Sequence, residues 1–87
     1  MRIPTPLRRL AGEERTVRVP GATVGEVLDA LVGRYPGLRA RLREEGGALR
    51  SSVLIFVNAE DIRSTGGEQA VVREGDTVSI VTVADGG

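Results

Sequence analysis

Cysteine and histidine are both missing from this 87-residue chain. Their absence removes disulfides, thiolate nucleophiles, thiolate metal sites and the commonest general base. Lysine is missing too, since all twelve basic residues are arginine. No side-chain amine is therefore present to form a Schiff base or to accept an isopeptide bond. One tyrosine and one phenylalanine are too few for a base-stacking surface, and twelve acidic residues balance the arginines, leaving no net field to recruit nucleic acid or an anionic membrane. No stretch approaches the ~20 apolar residues of a membrane span, and Met1-Arg2-Ile3-Pro4-Thr5-Pro6 lacks the apolar core of a signal peptide. The expectation is a cytoplasmic protein without a conventional enzyme active site, binding no metal or cofactor of its own and engaging neither nucleic acid nor membrane.

What is present fits one small globular domain over residues 1–87, with 40% apolar content and ordinary charge. Arg2-Ile3-Pro4-Thr5 begins a strand. Thr5-Pro6 then reads as N-cap and first helical position of a short turn, Leu7 to Ala11, that Gly12 ends. Arg15 to Val19 alternates polar with apolar residues at the period of a half-buried strand, so the opening reads as a loose hairpin. Thr23-Val24-Gly25-Glu26 is a capping box. Val24, Val27, Leu28 and Leu31 follow at helical spacing and give that helix one apolar face, before Gly33 and Pro36 stop it.

Leu38 and Leu42 mark a second, shorter helical segment. Arg39 and Arg43 on its other side read as a solvated face or as a contact for an acidic partner. Glu44 to Ser52, with Gly46-Gly47 and Ser51-Ser52, reads as a mobile surface loop. Val53-Leu54-Ile55-Phe56-Val57 is the most apolar run and reads as a central strand buried on both faces. A turn at Asn58–Asp61, a brief edge strand at Ile62-Arg63 and a loop at Ser64–Gly67 come next. Glu74-Gly75-Asp76 then turns the chain into a last strand, Thr77 to Val83. Two opening strands, a helix laid across, and a last strand able to pair parallel with the first describe an α+β fold, the β-grasp or ubiquitin-like fold, with a mixed sheet.

The last strand runs directly into Ala84-Asp85-Gly86-Gly87, read as a flexible tail over 84–87. Glycine has no Cβ, so a di-glycine end can thread a channel about as narrow as the backbone itself and present its carboxylate to a partner enzyme. Residues alternate along a strand. If Val78 and Ile80 face the core, Val81 points to the opposite sheet face, which makes Val81 and Val83, with Ala84, Asp85 and Gly86, the expected partner-binding residues.

Taken in order, Thr23-Val24-Gly25-Glu26-Val27-Leu28, Arg34-Tyr35-Pro36-Gly37-Leu38, Val57-Asn58-Ala59-Glu60-Asp61-Ile62-Arg63, Glu74-Gly75-Asp76-Thr77-Val78-Ser79-Ile80 and the final Gly86-Gly87 resemble the bacterial ubiquitin-like sulfur carriers. That family is exemplified by the molybdopterin synthase small subunit and the thiamine sulfur carrier. The stretch from Val57 through the last strand is most similar to the carriers of thiocarboxylate-dependent cysteine synthesis, whereas Thr82 and Asp85 depart from the usual tail. The resemblance implies that the Gly87 carboxylate is the reactive group: an E1-like adenylating enzyme spends ATP on it, and sulfur displaces AMP to leave a thiocarboxylate. It implies two partner proteins, that adenylating enzyme and a sulfur acceptor, either a pyridoxal-phosphate cysteine synthase or a molybdopterin synthase large subunit. It also leaves open a protein modifier that couples Gly87 to lysines of other proteins.

Overall fold

The computed structural model describes residues 1–83. Three strands form the continuous sheet: β1 (Val53–Val57), β2 (Glu60–Asp61) and β3 (Val78–Thr82), in the order β2-β1-β3 with both pairings antiparallel. Register places Ile55 opposite Ile80 and Leu54 opposite Val81. The N-terminal segment continues the sheet beyond β3. Arg2 bridges Ser79 in parallel and Thr16 antiparallel, with the Arg2 amide donating to Val78 O at 2.7 Å and the Ile80 amide donating to Arg2 O at 3.1 Å. The parallel junction of first and last segments makes the sheet mixed, as expected of a β-grasp.

The opening hairpin is nonetheless reduced to single bridges where two strands were expected. Pro4 has no amide to donate, and it caps helix α1 (Thr5–Arg8), so the first segment leaves the sheet after Ile3. Thr5, expected at the N-cap, is instead the first helical residue.

Helix α2 (Val24–Arg34) begins at the expected capping box. The Glu26 amide donates to Thr23 Oγ1 at 3.3 Å, while the Glu26 carboxylate accepts from the Ala22 amide at 2.9 Å, one residue before the usual partner. Gly21, just ahead, is a close approach: a Cβ there would lie 2.7 Å from the Val27 amide nitrogen. Val24, Val27, Leu28 and Leu31 are buried and meet Val53, Ile55, Val78 and Ile80 from the sheet, with Ile3, Leu7 and Val17 closing the N-terminal side. The helical layer thus covers one sheet face.

Two turn assignments shift. Asn58, at φ 56°, closes a two-residue connection between β1 and β2, so pairing resumes at Glu60 and the edge strand is Glu60–Asp61. Ile62-Arg63, expected as that strand, lies in a 3-10 turn over Ile62–Ser64, whose first free amide, that of Arg63, is capped by Asp61 Oδ1 at 2.9 Å.

The segment after α3 (Arg39–Leu42) is also more tied down than a loose loop. The Arg50 amide donates to Leu42 O, Arg43 bridges Leu49, and Arg50 Nε donates to Ala40 O at 2.8 Å. Arg43 is not a free contact for an acidic partner. Its guanidinium grips Glu68 through both carboxylate oxygens, at 2.6 and 2.9 Å, and donates to Gly47 O. That hydrogen-bonded pairing holds the Glu68 carboxyl below its ordinary value and raises Arg43.

Because the folded-state value is the lower one, the stabilisation is present above the ordinary glutamate range and is lost as pH falls through the depressed value. Glu68→Gln is expected to cost about 1 kcal/mol at neutral pH, allowing for screening of a carboxylate 36% exposed. Urea denaturation at several pH values should show the gap from wild type closing in acid. A gap independent of pH would assign the loss to packing.

Candidate functional site

The sheet face away from the helices, and the point where β3 ends, form the candidate site. Along β3 the alternation is clean: Val78 and Ile80 are buried, whereas Val81 is 40% exposed, and Val83 just beyond is 46% exposed. Neighbouring β1 presents half-buried Leu54 and Phe56 on the same side, opposite Val81 and Ser79. Both faces of β1 were expected to be buried, but with the helices on one side only Val53 and Ile55 are fully enclosed. The result is an apolar strip of Leu54, Phe56, Val81 and Val83, cheap for the monomer to expose and useful to a partner.

Two hollows flank the strip. One, of about 440 Å³, lies where β3 ends and is lined by Leu54 and Val83 with Arg50, Arg63, Glu44, Ser51 and Ser52. The other, of about 520 Å³, is lined by Phe56, Ser79 and Val81 with Arg2, Arg8 and Arg15. Arginines therefore border the strip at both ends, Arg63 being paired with Asp61 at 2.6 Å.

The start of β3 is fixed by a clasp that the spacing of Asn58 and Asp76 did not disclose. Asn58 Oδ1 accepts from the Thr77 amide at 3.0 Å, its Nδ2 donates to Asp76 Oδ1 at 3.1 Å, and the Asn58 amide donates to Thr77 O at 2.7 Å. Asp76 Oδ2 in turn accepts from the Arg73 amide at 2.9 Å. The far end is held as well, because the Val83 amide donates to Ser52 O at 2.8 Å. The strand is anchored at both ends, so the position of Val83 is set by the body of the protein.

The described body offers little to acid–base chemistry. No polar or charged residue is buried among the described residues, and no group of three or more His, Cys, Asp or Glu there could hold a metal ion. The shifted carboxyls move down, away from neutrality: Asp61 through hydrogen bonds from Arg63, Asp76 through the Arg73 amide and then Asn58, Glu68 through Arg43. A group poised to exchange protons near pH 7 needs the opposite shift. Of the expected site residues, Val81 and Val83 stand exposed at the end of β3, and Ala84, Asp85, Gly86 and Gly87 lie outside the described residues. Leu54 and Phe56 were missed, because a continuous apolar run does not reveal which of its residues a helix will cover.

The comparisons with known proteins fit this geometry. The model of the ThiS family matches residues 1–87. Sulfur carrier protein CysO of Mycobacterium tuberculosis is 38% identical over 87 residues, covering 98% of this chain and 94% of its own. Among solved structures, a chain of the Amycolatopsis orientalis BexX/CysO complex superposes with a TM-score of 0.89 at 42% identity, covering 99% of this chain and 96% of that one. SAMP1 from Haloferax volcanii superposes at 0.84 with 32% identity, covering 99% and 94%.

Proposed function

The chain belongs to the ThiS family of ubiquitin-like sulfur carriers, and from that premise we propose that Gly87 is its working group, adenylated by an E1-like enzyme and converted to a thiocarboxylate that donates sulfur in cysteine, molybdopterin or related biosynthesis. The observation that carries this reading is the continuation of a strand anchored at both ends, β3, into Ala84-Asp85-Gly86-Gly87. A carboxylate is a poor electrophile because its charge is delocalised. Conversion to an acyl-adenylate supplies a leaving group, and attack by sulfur on the carbonyl carbon expels AMP. All of that is done to this chain by partners, and ATP is bound and consumed by the adenylating enzyme. No side chain here has to move a proton, which agrees with a body lacking His and Cys.

Two partners follow, the adenylating enzyme and an acceptor, either a pyridoxal-phosphate cysteine synthase or a molybdopterin synthase large subunit. The cysteine route is favoured by the likeness to CysO. The test is intact mass after incubation with ATP, a sulfur donor and the adenylating enzyme of the same cell: one oxygen replaced by sulfur supports the reading, and an unchanged protein overturns it. Likeness to small archaeal modifier protein 1 of Haloferax volcanii, 44% identical over 57 residues, supports a second reading as a modifier attached through Gly87 to lysines of other proteins. Covalent adducts at higher mass in native extracts would favour that alternative.

Four terminal residues give too little area for specific binding, so the partners grip the folded body at the strip around Val81 and Val83. Val81→Asp is expected to weaken binding to the adenylating enzyme by roughly 1–3 kcal/mol with little loss of stability, since the side chain is already part-exposed. Titration calorimetry decides it, and unchanged affinity would move the docking face elsewhere.

A further inference from the structure

Twelve arginines and twelve acidic residues cancel over the whole chain, but they are not mixed evenly over its surface. We propose that Arg2, Arg8 and Arg15 form a basic clamp beside the apolar strip, which receives carboxylates on the surface of the adenylating enzyme. An apolar side chain of that enzyme then covers Phe56 and Val81. The inference rests on the reading of this chain as that enzyme's substrate, and it adds the chemistry of the docking face and the orientation in which the partner sits.

The sheet builds the clamp. Arg2 pairs with Thr16 on one side and Ser79 on the other, and Ser79 pairs with Phe56. Residues paired across strands point to the same face, so these four stand in one row on the side away from the helices. Two short hydroxyl side chains flank Arg2 in that row and leave space above them. The hollow of about 520 Å³ there also takes in Arg15 and, from α1, Arg8. Arg8 is half-buried and its Nε donates to Ile3 O at 3.0 Å, which holds the guanidinium in place, whereas Arg2 and Arg15 are exposed.

No acidic side chain lines the hollow. The ion pairs among the described residues belong to Arg43 and Arg63, and the carboxylate in the same row, Asp61 beyond Phe56, is the one that Arg63 holds at 2.6 Å. Three like charges around one hollow repel one another and contribute nothing to the free fold. A carboxylate from outside relieves that repulsion, and the planar fork of a guanidinium fits it through two hydrogen bonds. The hollow at the other end of the strip is mixed in charge, with Glu44 beside Arg50 and Arg63. Charge therefore fixes the orientation: the acidic patch of the partner lies at the Arg2 end.

Phosphates would answer the same charge, but binding a nucleic acid also asks for bases to stack. The hollow's one aromatic ring, Phe56, is half-buried in the sheet. Guanidinia set against an apolar strip suit a folded protein surface instead.

The test is association of the full chain with the adenylating enzyme of the same cell, followed by surface plasmon resonance at low and at high salt. Arg2→Glu with Arg15→Glu is expected to weaken binding roughly tenfold or more at low salt, mainly through slower association, with the gap narrowing as salt rises. Arg2→Gln with Arg15→Gln is expected to fall between that pair and wild type, and it carries the test if the charge-reversed pair has a lowered unfolding midpoint. Arg39→Glu with Arg41→Glu makes the same change of net charge at exposed positions of α3 outside the hollow, and is expected to change affinity by less than about twofold. Equal loss from the α3 pair, binding indifferent to charge at positions 2 and 15, or a loss that salt does not reduce overturns the proposal. Wild type that binds a single-stranded oligonucleotide through these arginines, with enzyme binding unchanged in the variants, assigns the clamp to phosphates and overturns it as well. Wild type that binds no adenylating enzyme is a separate failure, that of the carrier reading, and takes the clamp with it.

Discussion

Deletion of Gly86-Gly87 is expected to abolish pyrophosphate release with ATP and the adenylating enzyme while leaving the unfolding midpoint within experimental error of wild type. The first half follows from chemistry: without the two residues whose missing Cβ atoms let a backbone pass a narrow channel, the new terminal carboxylate belongs to Asp85, with a charged side chain beside it. The second half follows from where the packing is. The buried cluster runs from Ile3 to Ile80, and the last backbone bond described at the exit is that of the Val83 amide to Ser52 O. That packing lies within residues 3–83, and glycine has no side chain to add to it, so loss of residues 86–87 should fall within a few tenths of a kcal/mol. Truncated protein that still releases pyrophosphate at the wild-type rate would sink the assignment of Gly87. A truncated protein that unfolds early would show that these residues hold the fold together.

Much of the fold was legible because its elements announce themselves locally. Thr23 and Glu26 stand at capping-box spacing, and Val24, Val27, Leu28 and Leu31 repeat at helical spacing. All four are buried as that period requires. The alternation in β3 likewise gave Val81 its outward direction. What failed was whatever depended on a distant partner. Arg43 looked like a surface charge because Glu68, the residue that claims it, lies 25 positions away. Leu54 and Phe56 looked like core because nothing local says that the helices gather on one side. Ile62-Arg63 was two residues late as a strand because the left-handed Asn58 makes the turn tighter than its polar run suggests. The opening strands shrank to bridges because Pro4 turns the chain into α1 as soon as Arg2 and Ile3 have paired.

The site divides along the same line. Its apolar strip and its exit are matters of strand alternation and can be read from sequence once the strand is placed. The clasp of Asn58, Asp76 and Thr77 could not be, although Asn58 and Gly75-Asp76 were among the residues carrying the family resemblance. They are turn-formers whose task is structural: they fix where β3 starts, and so which of its residues face inward. A resemblance built partly on such residues points to a fold first and to a function only through the strand that the fold delivers.

Leu31→Ala is expected to cost about 2–5 kcal/mol, and Ile55→Ala a similar amount. Leu31 is 0% exposed and Ile55 2%, one from α2 and one from β1, both within the single cluster that joins helix to sheet. Truncation removes transfer energy and leaves a cavity that close-packed neighbours fill only in part. For a domain of this length total stability is on the order of 4–13 kcal/mol, so the loss is a large share of the whole, readable in urea denaturation as a lower midpoint at unchanged slope. Loss within a few tenths of a kcal/mol at either position would mean the helix and sheet faces are assigned to the wrong sides. The functional consequence differs in kind from that of the tail deletion. The buried cluster lies within residues 3–80 and the group proposed to react is carried by Gly87, so the molecules of Leu31→Ala that remain folded should be adenylated at the wild-type rate, and total activity should track the folded fraction as temperature rises. Activity lost well below the melting transition would instead mean that the core also sets the direction in which β3 presents its last residues, through the inward packing of Val78 and Ile80 that leaves Val81 facing out.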